Sequence, residues 1–352
     1  MSNPNSDFLP LSRPRLNLRR VLFYLVTIAV LVLVYSRVSE FALLWNIFLK
    51  TNLWWLVGII ISQLLVYYYL ALNYRDVLKI KDLSISVREL FPVTFVVQFL
   101  NQALPSANIS GQAFFVQYLK KHGLSLVEGI GRALLELLTL YIAFAVFFLL
   151  SALLLFWSDS FGRYPQIAYF IYLFLFFAVL FTAIFFGFQK KRRGRVARWV
   201  VNKLHRYFEN GKKREHTGHV TELFDQIRET LNLKELGKHK QKFFLACLWQ
   251  GLQFFANVFT LYFVGYAVGA PLAFVAAFVV FTLARFIAMV SFVPGAFGVF
   301  EGSMIFVLTT FDTPLDLALA ITLLFRAFSF WLPIPIGWLL YRRYVKRWEA
   351  NC

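Results

Sequence analysis

Only two cysteines occur among the 352 residues. Cys247 lies in an apolar run and Cys352 is the last residue, so no disulfide framework is expected. Histidine is scarce too: there are five, and none falls within an apolar segment. His216 and His219 are three apart, but no carboxylate or cysteine cluster completes a metal site around them. No nucleophile–base motif, phosphate-binding loop or nucleotide fingerprint is present. The sequence therefore leads to no cofactor, no metal and no nucleotide coupling, and it reads as a protein other than an enzyme. Charge is thin: 15% of residues are charged, and the 18 acidic residues are outnumbered by 36 Lys and Arg.

Apolar residues are abundant instead. They make up 59% of the chain, and 42 residues are Phe. A soluble domain cannot hide that much apolar surface, whereas a bilayer accepts it. A helix needs about 20 mostly apolar residues to cross the hydrocarbon. Full spans are predicted at 21–36, 53–72, 129–157, 166–187, 243–268 and 316–341. No run shows the strict alternation of a membrane barrel strand. The first segment follows Arg13, Arg15, Arg19 and Arg20, with no small-residue cleavage site after it, and reads as an uncleaved signal anchor.

The excess of positive charge is a matter of place. Segments 1–20, 73–90, 119–128, 188–242 and 342–352 hold 30 Lys and Arg, while 37–52, 158–165, 268–271 and 311–316 hold three. Positive loops stay in the cytoplasm, so both termini are expected inside. The loop 188–242 opens with Lys190, Lys191, Arg192 and Arg193 and is expected to lie on the anionic cytoplasmic leaflet. Nucleic acid is not an expected partner. Membrane lipids are, and a homo-oligomer is compatible with the sequence.

Two apolar stretches are broken in the middle. Segment 91–119 has both ends on the positive side, and its 29 residues are too few for two crossings, which need roughly 40. It breaks around Pro105, Asn108, Ser110 and Gly111. Segment 271–311 has no Lys or Arg at its ends and breaks at Pro294, Gly295 and Gly298. Both read as re-entrant helical hairpins, at 91–119 and 271–311, dipping from opposite faces. The fold class is then all-α polytopic, with about six full spans and two hairpins in an inverted repeat. The halves are 21–187 and 243–341. In transporters built this way, sites lie near the midplane where broken helices meet. The alternative is two kinked spans that resemble each other by chance.

Five charges lie deep in apolar sequence: Arg132, Glu136, Arg285, Glu301 and Arg326. Each costs about 3 kcal/mol at the bilayer centre, so lipid-facing isolation is disfavoured. Glu136 is expected to meet Arg326 across the pseudo-two-fold axis, and Glu301 to face Arg285 or Arg132. Three arginines against two glutamates leave a positive surplus, which suits a phosphate-bearing lipid. The same charges also fit structural ion pairs, with Arg132 snorkelling to the interface. A helix starting near Val299 would aim its N–H groups at an anion. Ser106, Asn108, Ser110 and Gln112 either cap the helix starting near Gly111 or bond a headgroup. Pro333 and Pro335 are expected to kink the last span.

At the two breaks the chain resembles the flippase-like, lysylphosphatidylglycerol synthase transmembrane-domain family. The stronger match is Val293, Pro294, Gly295, Ala296, Phe297, Gly298, Val299, Phe300 and Glu301, with Arg326 in the next helix. The weaker match is Asn101, Leu104, Pro105 and Gly111, followed by residues 119–125. The resemblance implies a bacterial or archaeal inner-membrane protein that moves a lipid, as the membrane module of the multiple peptide resistance factor does. In that protein the module is fused to an aminoacyltransferase. Here the chain ends soon after the last span, so lipid movement and not synthesis is implied. One departure stands out. Where members often carry an acidic residue and an arginine, this chain has Gln112 and Phe115. Substrate-binding roles are thereby expected for the five deep charges and for Pro105, Asn108, Ser110, Gly111, Pro294, Gly295 and Gly298. The lipid is expected to be an anionic phospholipid or a polyprenyl-phosphate type; the alternatives are a membrane-embedded transferase or phosphatase acting on a lipid headgroup, with Glu301 as its one candidate carboxylate, or a secondary transporter of a small solute.

Overall fold

The computed structural model describes residues 52–80, 83–103, 109–157, 239–290, 296 and 298–350. The predicted spans 21–36 and 166–187 and most of the loop 188–242 lie outside these residues. So do the hairpin residues Pro105, Asn108, Pro294 and Gly295.

Every regular element among the described residues is helical. In chain order they are α1 (Leu53–Lys79), α2 (Val87–Ala103), α3 (Ile109–Lys121), α4 (Leu126–Trp157), α5 (Lys240–Ala267), α6 (Phe274–Val290), α7 (Val299–Thr310), α8 (Leu315–Arg326), a π-helical turn (Ala327–Trp331) and α9 (Pro333–Ala350). Four stretches are long and apolar enough to cross a membrane: Trp54–Lys79, Leu126–Leu155, Lys240–Ala267 and Leu315–Trp348. They match the predicted spans at 53–72, 129–157, 243–268 and 316–341, and each of the four is longer than expected. α1 continues seven residues past its predicted end, and the segment expected as a tail from 342 is helical to Ala350.

Helix starts follow their sequence. Ser86 and Ser125 each stand three residues before a glutamate. The Glu89 N–H donates to Ser86 Oγ at 3.3 Å, and Ser86 Oγ donates to Glu89 Oε1 at 2.9 Å. At α4 the Ser125 N–H and hydroxyl both donate to Glu128 Oε2, at 2.9 and 2.8 Å. These boxes satisfy the first orphan N–H groups of α2 and α4. At α1 the cap is Asn52, whose Oδ1 accepts from the Trp54 N–H.

α1 and α5 pack along their length, and polar side chains join them where water is excluded. Ser62 Oγ lies 2.8 Å from Thr260 Oγ1, and Gln63 Nε2 donates to the same hydroxyl at 2.9 Å. Asn73 Nδ2 donates to Ala246 O at 2.8 Å and to Thr139 Oγ1 at 3.0 Å, tying α1 to α5 and α4. Such bonds hold helices together in lipid, where apolar contact alone has little preference over acyl chains. The larger core is a phenylalanine stack. Phe144, Phe147, Phe148, Phe254, Phe278, Phe281 and Phe286 interlock between α4, α5 and α6. Ile60, Ile61, Leu64, Leu65 and Tyr68 of α1 point away from the core at helical spacing, as do Tyr141, Ile142, Val146, Leu149 and Leu153 of α4.

The ends of the bundle differ in charge. At one end the close of α1 meets the start of α5, where Lys242 Nζ donates to Lys79 O at 2.7 Å. The start of α2, the end of α3 and the end of α9 share a recess at this end. At the other end Trp55 of α1 packs on Tyr266 of α5 at 4.7 Å, and Tyr262 of α5 packs on Phe274 of α6. Arg75, Lys79, Arg88, Lys120, Lys121 and Lys242 all belong to the first end. The turns at 268–271 and 311–316 have no Lys or Arg. α2 packs on α3, and α6 packs on α7.

Glycine sets two close approaches. A Cβ on Gly111 would lie 2.5 Å from Val97 O, so α3 touches α2 only because the side chain is absent. A Cβ on Gly337 would lie 2.5 Å from Phe95 O, so α9 is pressed onto α2 in the same way. The second half of the chain thus grips the first hairpin directly.

Candidate functional site

The tip of the second hairpin is built around Gly298. Its φ is +77°, a conformation that strains any residue with a Cβ. α7 starts at the next residue, as expected. Its third residue, Glu301, turns back so that the Gly298 N–H donates to Glu301 Oε2 at 2.7 Å. The other carboxylate oxygen takes a short charge-assisted bond from Arg326 Nε. The anion at the start of α7 is therefore the protein's own glutamate, which is stabilised by the helix dipole there.

Arg326 closes α8 with its side chain 8% exposed. Its guanidinium lies 4.2 Å from the Phe330 ring centre and 4.9 Å from that of Phe300. Ion pair and ring faces together replace the lost water shell. The expectation that Arg326 meets Glu136 is corrected: Arg326 bonds Glu301. The physical reason is local. The tip brings Glu301 into α7's first turn beside α8, whereas Glu136 lies on α4 among other partners.

Glu136 is the eleventh residue of α4, and Gln250 is the eleventh of α5. Gln250 Nε2 donates to Glu136 Oε1 at 3.1 Å, and Gln112 Nε2 of α3 donates to Oε2 at 2.6 Å. Glu136 is 4% exposed and has no cationic partner among the described residues. Two neutral amides from two other helices hold it. Gln112 is one of the two residues that depart from the family pattern, and its role here is to carry the first hairpin to Glu136. Gln250 had no part in the sequence reading. Its only signal was a lone amide in the middle of an apolar span. The carbonyl oxygens of Gln102, Gln112 and Gln250 are buried and accept no bond within the described residues. Those of Gln112 and Gln250 offer acceptor capacity beside the Glu136 carboxylate. Arg132 is buried one turn before Glu136 on the same helix.

The first hairpin tip is fixed by its own helices. Ser110 Oγ donates to Leu100 O at 2.8 Å, and the Gly111 N–H donates to Asn101 Oδ1 at 2.9 Å. α3 begins at Ile109, near Gly111 as expected, and these two bonds brace α3 against α2. Ser110 serves the hairpin in the structure more than a cap.

The kink expected at Pro333 is a π-helical turn over Ala327–Trp331. In an α-helix residue 333 would donate to Ser329 O, and proline has no N–H to give. Gln102 Nε2, at the end of α2, reaches that carbonyl at 3.5 Å. The π turn also follows Arg326 directly. The end of α2 therefore touches the turn that follows Arg326. π turns of this kind recur at functional sites.

Arg285 stands twelfth in α6 and is half-buried. It lies within electrostatic reach of Arg326 and of Tyr141. No hydrogen bond or ion pair ties it to another described residue. The expected contact with Glu301 is not made, because Arg326 occupies that carboxylate. Three of the deep charges, Arg285, Glu301 and Arg326, are brought to one place. Glu136 and Arg132 form the second.

Comparison with known proteins decides the family. The lysylphosphatidylglycerol synthase TM region family matches residues 21–337. The chain belongs to this family. A UPF0104 membrane protein of Pyrococcus horikoshii is 22% identical over 273 residues, covering 77% of this chain and 81% of the relative. A UPF0104 membrane protein of Methanocaldococcus jannaschii is 23% identical over 301 residues, covering 84% of this chain and 86% of the relative. With four helices among the described residues long and apolar enough to cross a membrane, and with archaeal membrane relatives, this member of the lysylphosphatidylglycerol synthase TM region family is an integral membrane protein in contact with lipid.

Proposed function

We propose that this protein moves a phosphate-bearing lipid across the membrane, an anionic phospholipid or a polyprenyl-phosphate type, without changing it chemically. The observation that carries this reading is Arg285. It is a half-buried cation about 17 Å along α6 from that helix's start, with no described counter-ion. Beside it, Arg326 is already neutralised by Glu301. A cation so placed is expensive in hydrocarbon, and a transient phosphate would relieve it. The buried acceptors around Glu136 suit the hydroxyl groups of a headgroup. Acyl chains can stay in lipid meanwhile, so only the headgroup is desolvated.

The reading includes two finer points of architecture. The hairpins belong to two halves of opposite orientation, within about six spans, and the basic end faces the cytoplasm. Cysteine labelling at positions 120 and 312 from the two sides of the membrane tests this, with Cys247 and Cys352 replaced. Labelling of both from one side defeats it.

The functional test is mass spectrometry of co-purified lipid, followed by translocation of that lipid in proteoliposomes. Arg285→Gln is expected to lower the translocation rate at least tenfold with the fold intact. An unchanged rate, or no transport above empty liposomes, overturns the reading. Chemical change of the lipid by the purified protein would point to an enzyme instead.

A further inference from the structure

The recess at the basic end lies outside this site. It is about 500 Å³ and is lined by Arg88, Glu89 and Pro92 of α2, by Tyr118, Lys121 and His122 from the end of α3, and by Tyr344, Arg347 and Trp348 of α9. Three helices that are distant in sequence converge here. Gly337 lets α9 approach α2, and Phe114 of α3 packs on Trp348 at 5.4 Å. The walls are aromatic. Tyr118 packs on His122 with the rings tilted, centroids 4.3 Å apart, Tyr118 meets Tyr344 edge-on at 6.0 Å, and Tyr344 packs on Trp348 at 6.1 Å.

The mouth is cationic. Arg88, Lys121 and Arg347 are all exposed around it, against the single carboxylate of Glu89. Glu89 is partly committed to Ser86 at the start of α2. The His122 Nδ1 lies 2.9 Å from Tyr118 O. Neither phenol hydroxyl has a hydrogen-bond partner among the described residues. The recess thus offers long cationic side chains and two neutral donors above a ring-lined floor. Guanidinium groups match the oxygens of a phosphate better than those of any neutral headgroup. The volume exceeds a bare phosphate and leaves room for a glycerol-sized group on the rings. Basic pockets between membrane helices at the charged face take lipid headgroups in this way.

We propose that this recess binds a phosphate ester, with Arg88, Lys121 and Arg347 on the phosphate and the Tyr118, Tyr344 and Trp348 rings under its carbon skeleton. The chemistry is shared by an anionic lipid of the facing leaflet and by a soluble phosphate ester. It does not depend on translocation.

The test uses the full chain in nanodiscs. Lipid retention is read by native mass spectrometry with phosphatidylglycerol and with phosphatidylcholine, and soluble ligand binding is read by hydrogen-exchange protection of 114–122 and 341–348 with sn-glycerol 3-phosphate. Each lost charge near the surface weakens binding about fivefold, so R88Q/R347Q is expected to cut phosphatidylglycerol retention more than tenfold. The control K120Q/R343Q removes the same surface charge from basic residues outside the recess and is expected to lower retention by less than R88Q/R347Q does. Glu89→Gln removes the one opposing charge and is expected to raise retention a fewfold, a gain that misfolding cannot produce. Protection by glycerol phosphate that R88Q/R347Q abolishes, with lipid retention unmoved, supports the site and assigns it to the soluble ester. Equal losses in R88Q/R347Q and the control, equal retention of phosphatidylcholine, or no binding of either probe overturns it. Hydrogen-exchange protection of 114–122 and 341–348 reports this recess alone and the translocation assay reports the Arg285 site, so the two results fail separately.

Discussion

Glu301 and Glu136 are both deep carboxylates beside hairpin tips, yet their surroundings are opposite. Glu301 faces a cation. Arg326 bonds one oxygen, the start of α7 stabilises the other, and ring faces close around the guanidinium. Glu136 faces amides. Gln112 and Gln250 each donate one N–H, and spare carbonyls stand nearby. The first arrangement locks a hairpin to the helix behind it. The second is a polar cluster whose carboxylate is held by weaker, replaceable partners. Locking asks for strong partners in one geometry, and exchange with a ligand asks for groups that can release it. The difference makes Glu301 and Arg326 a structural lock; in the proposed function, contact with cargo falls to Arg285 and the cluster around Glu136.

The largest expected effect comes from breaking the lock on one side only. Arg326→Gln or Glu301→Gln leaves a buried charge alone and should lower stability by about 3–5 kcal/mol, read as a fall in the thermal midpoint in detergent. Combining the two should recover a large part of that loss. Next is Glu136→Ala, which strands two buried donors and should cost about 3 kcal/mol. Glu136→Gln keeps an acceptor and should cost about 1 kcal/mol, measured the same way. If Glu136→Gln proves as damaging as Arg326→Gln, the contrast between the two carboxylates disappears. Gly111→Ala should cost about 1–3 kcal/mol by forcing α3 off Val97 O, and proteolysis near the first hairpin tip should rise with it. The smallest effect is Pro333→Ala. It restores an N–H to compete with Gln102 for Ser329 O, straightens the π turn and should change stability by less than about 1 kcal/mol. Its main readout is transport rate, since it loosens the link between the tips.

The single-partner variants also mark how far the sequence could be read. Four spans and two broken segments were legible because hydrophobicity and proline act locally: a run is apolar or it is not, and a proline lacks its N–H wherever it lies. The start of α7 was legible for the same reason, from the break at Pro294, Gly295 and Gly298. The partner of Arg326 was not. Glu136 and Glu301 lie at comparable depth in apolar sequence, and nothing along the chain says which one the fold brings to α8. Gln250 and Gln102 were missed because an amide in an apolar run carries no charge to explain.

The sequence by itself determined that this chain enters a membrane, that its positive charge gathers at one end, and that its helices break where they do. Each follows from the transfer cost of a side chain or from the geometry of one residue, and needs no neighbour. Only the tertiary structure decided which carboxylate is paired, that Gln102 takes the carbonyl Pro333 leaves open, and that three helices enclose a cationic recess. Those outcomes depend on distances between residues far apart in the chain, and such distances are set by packing.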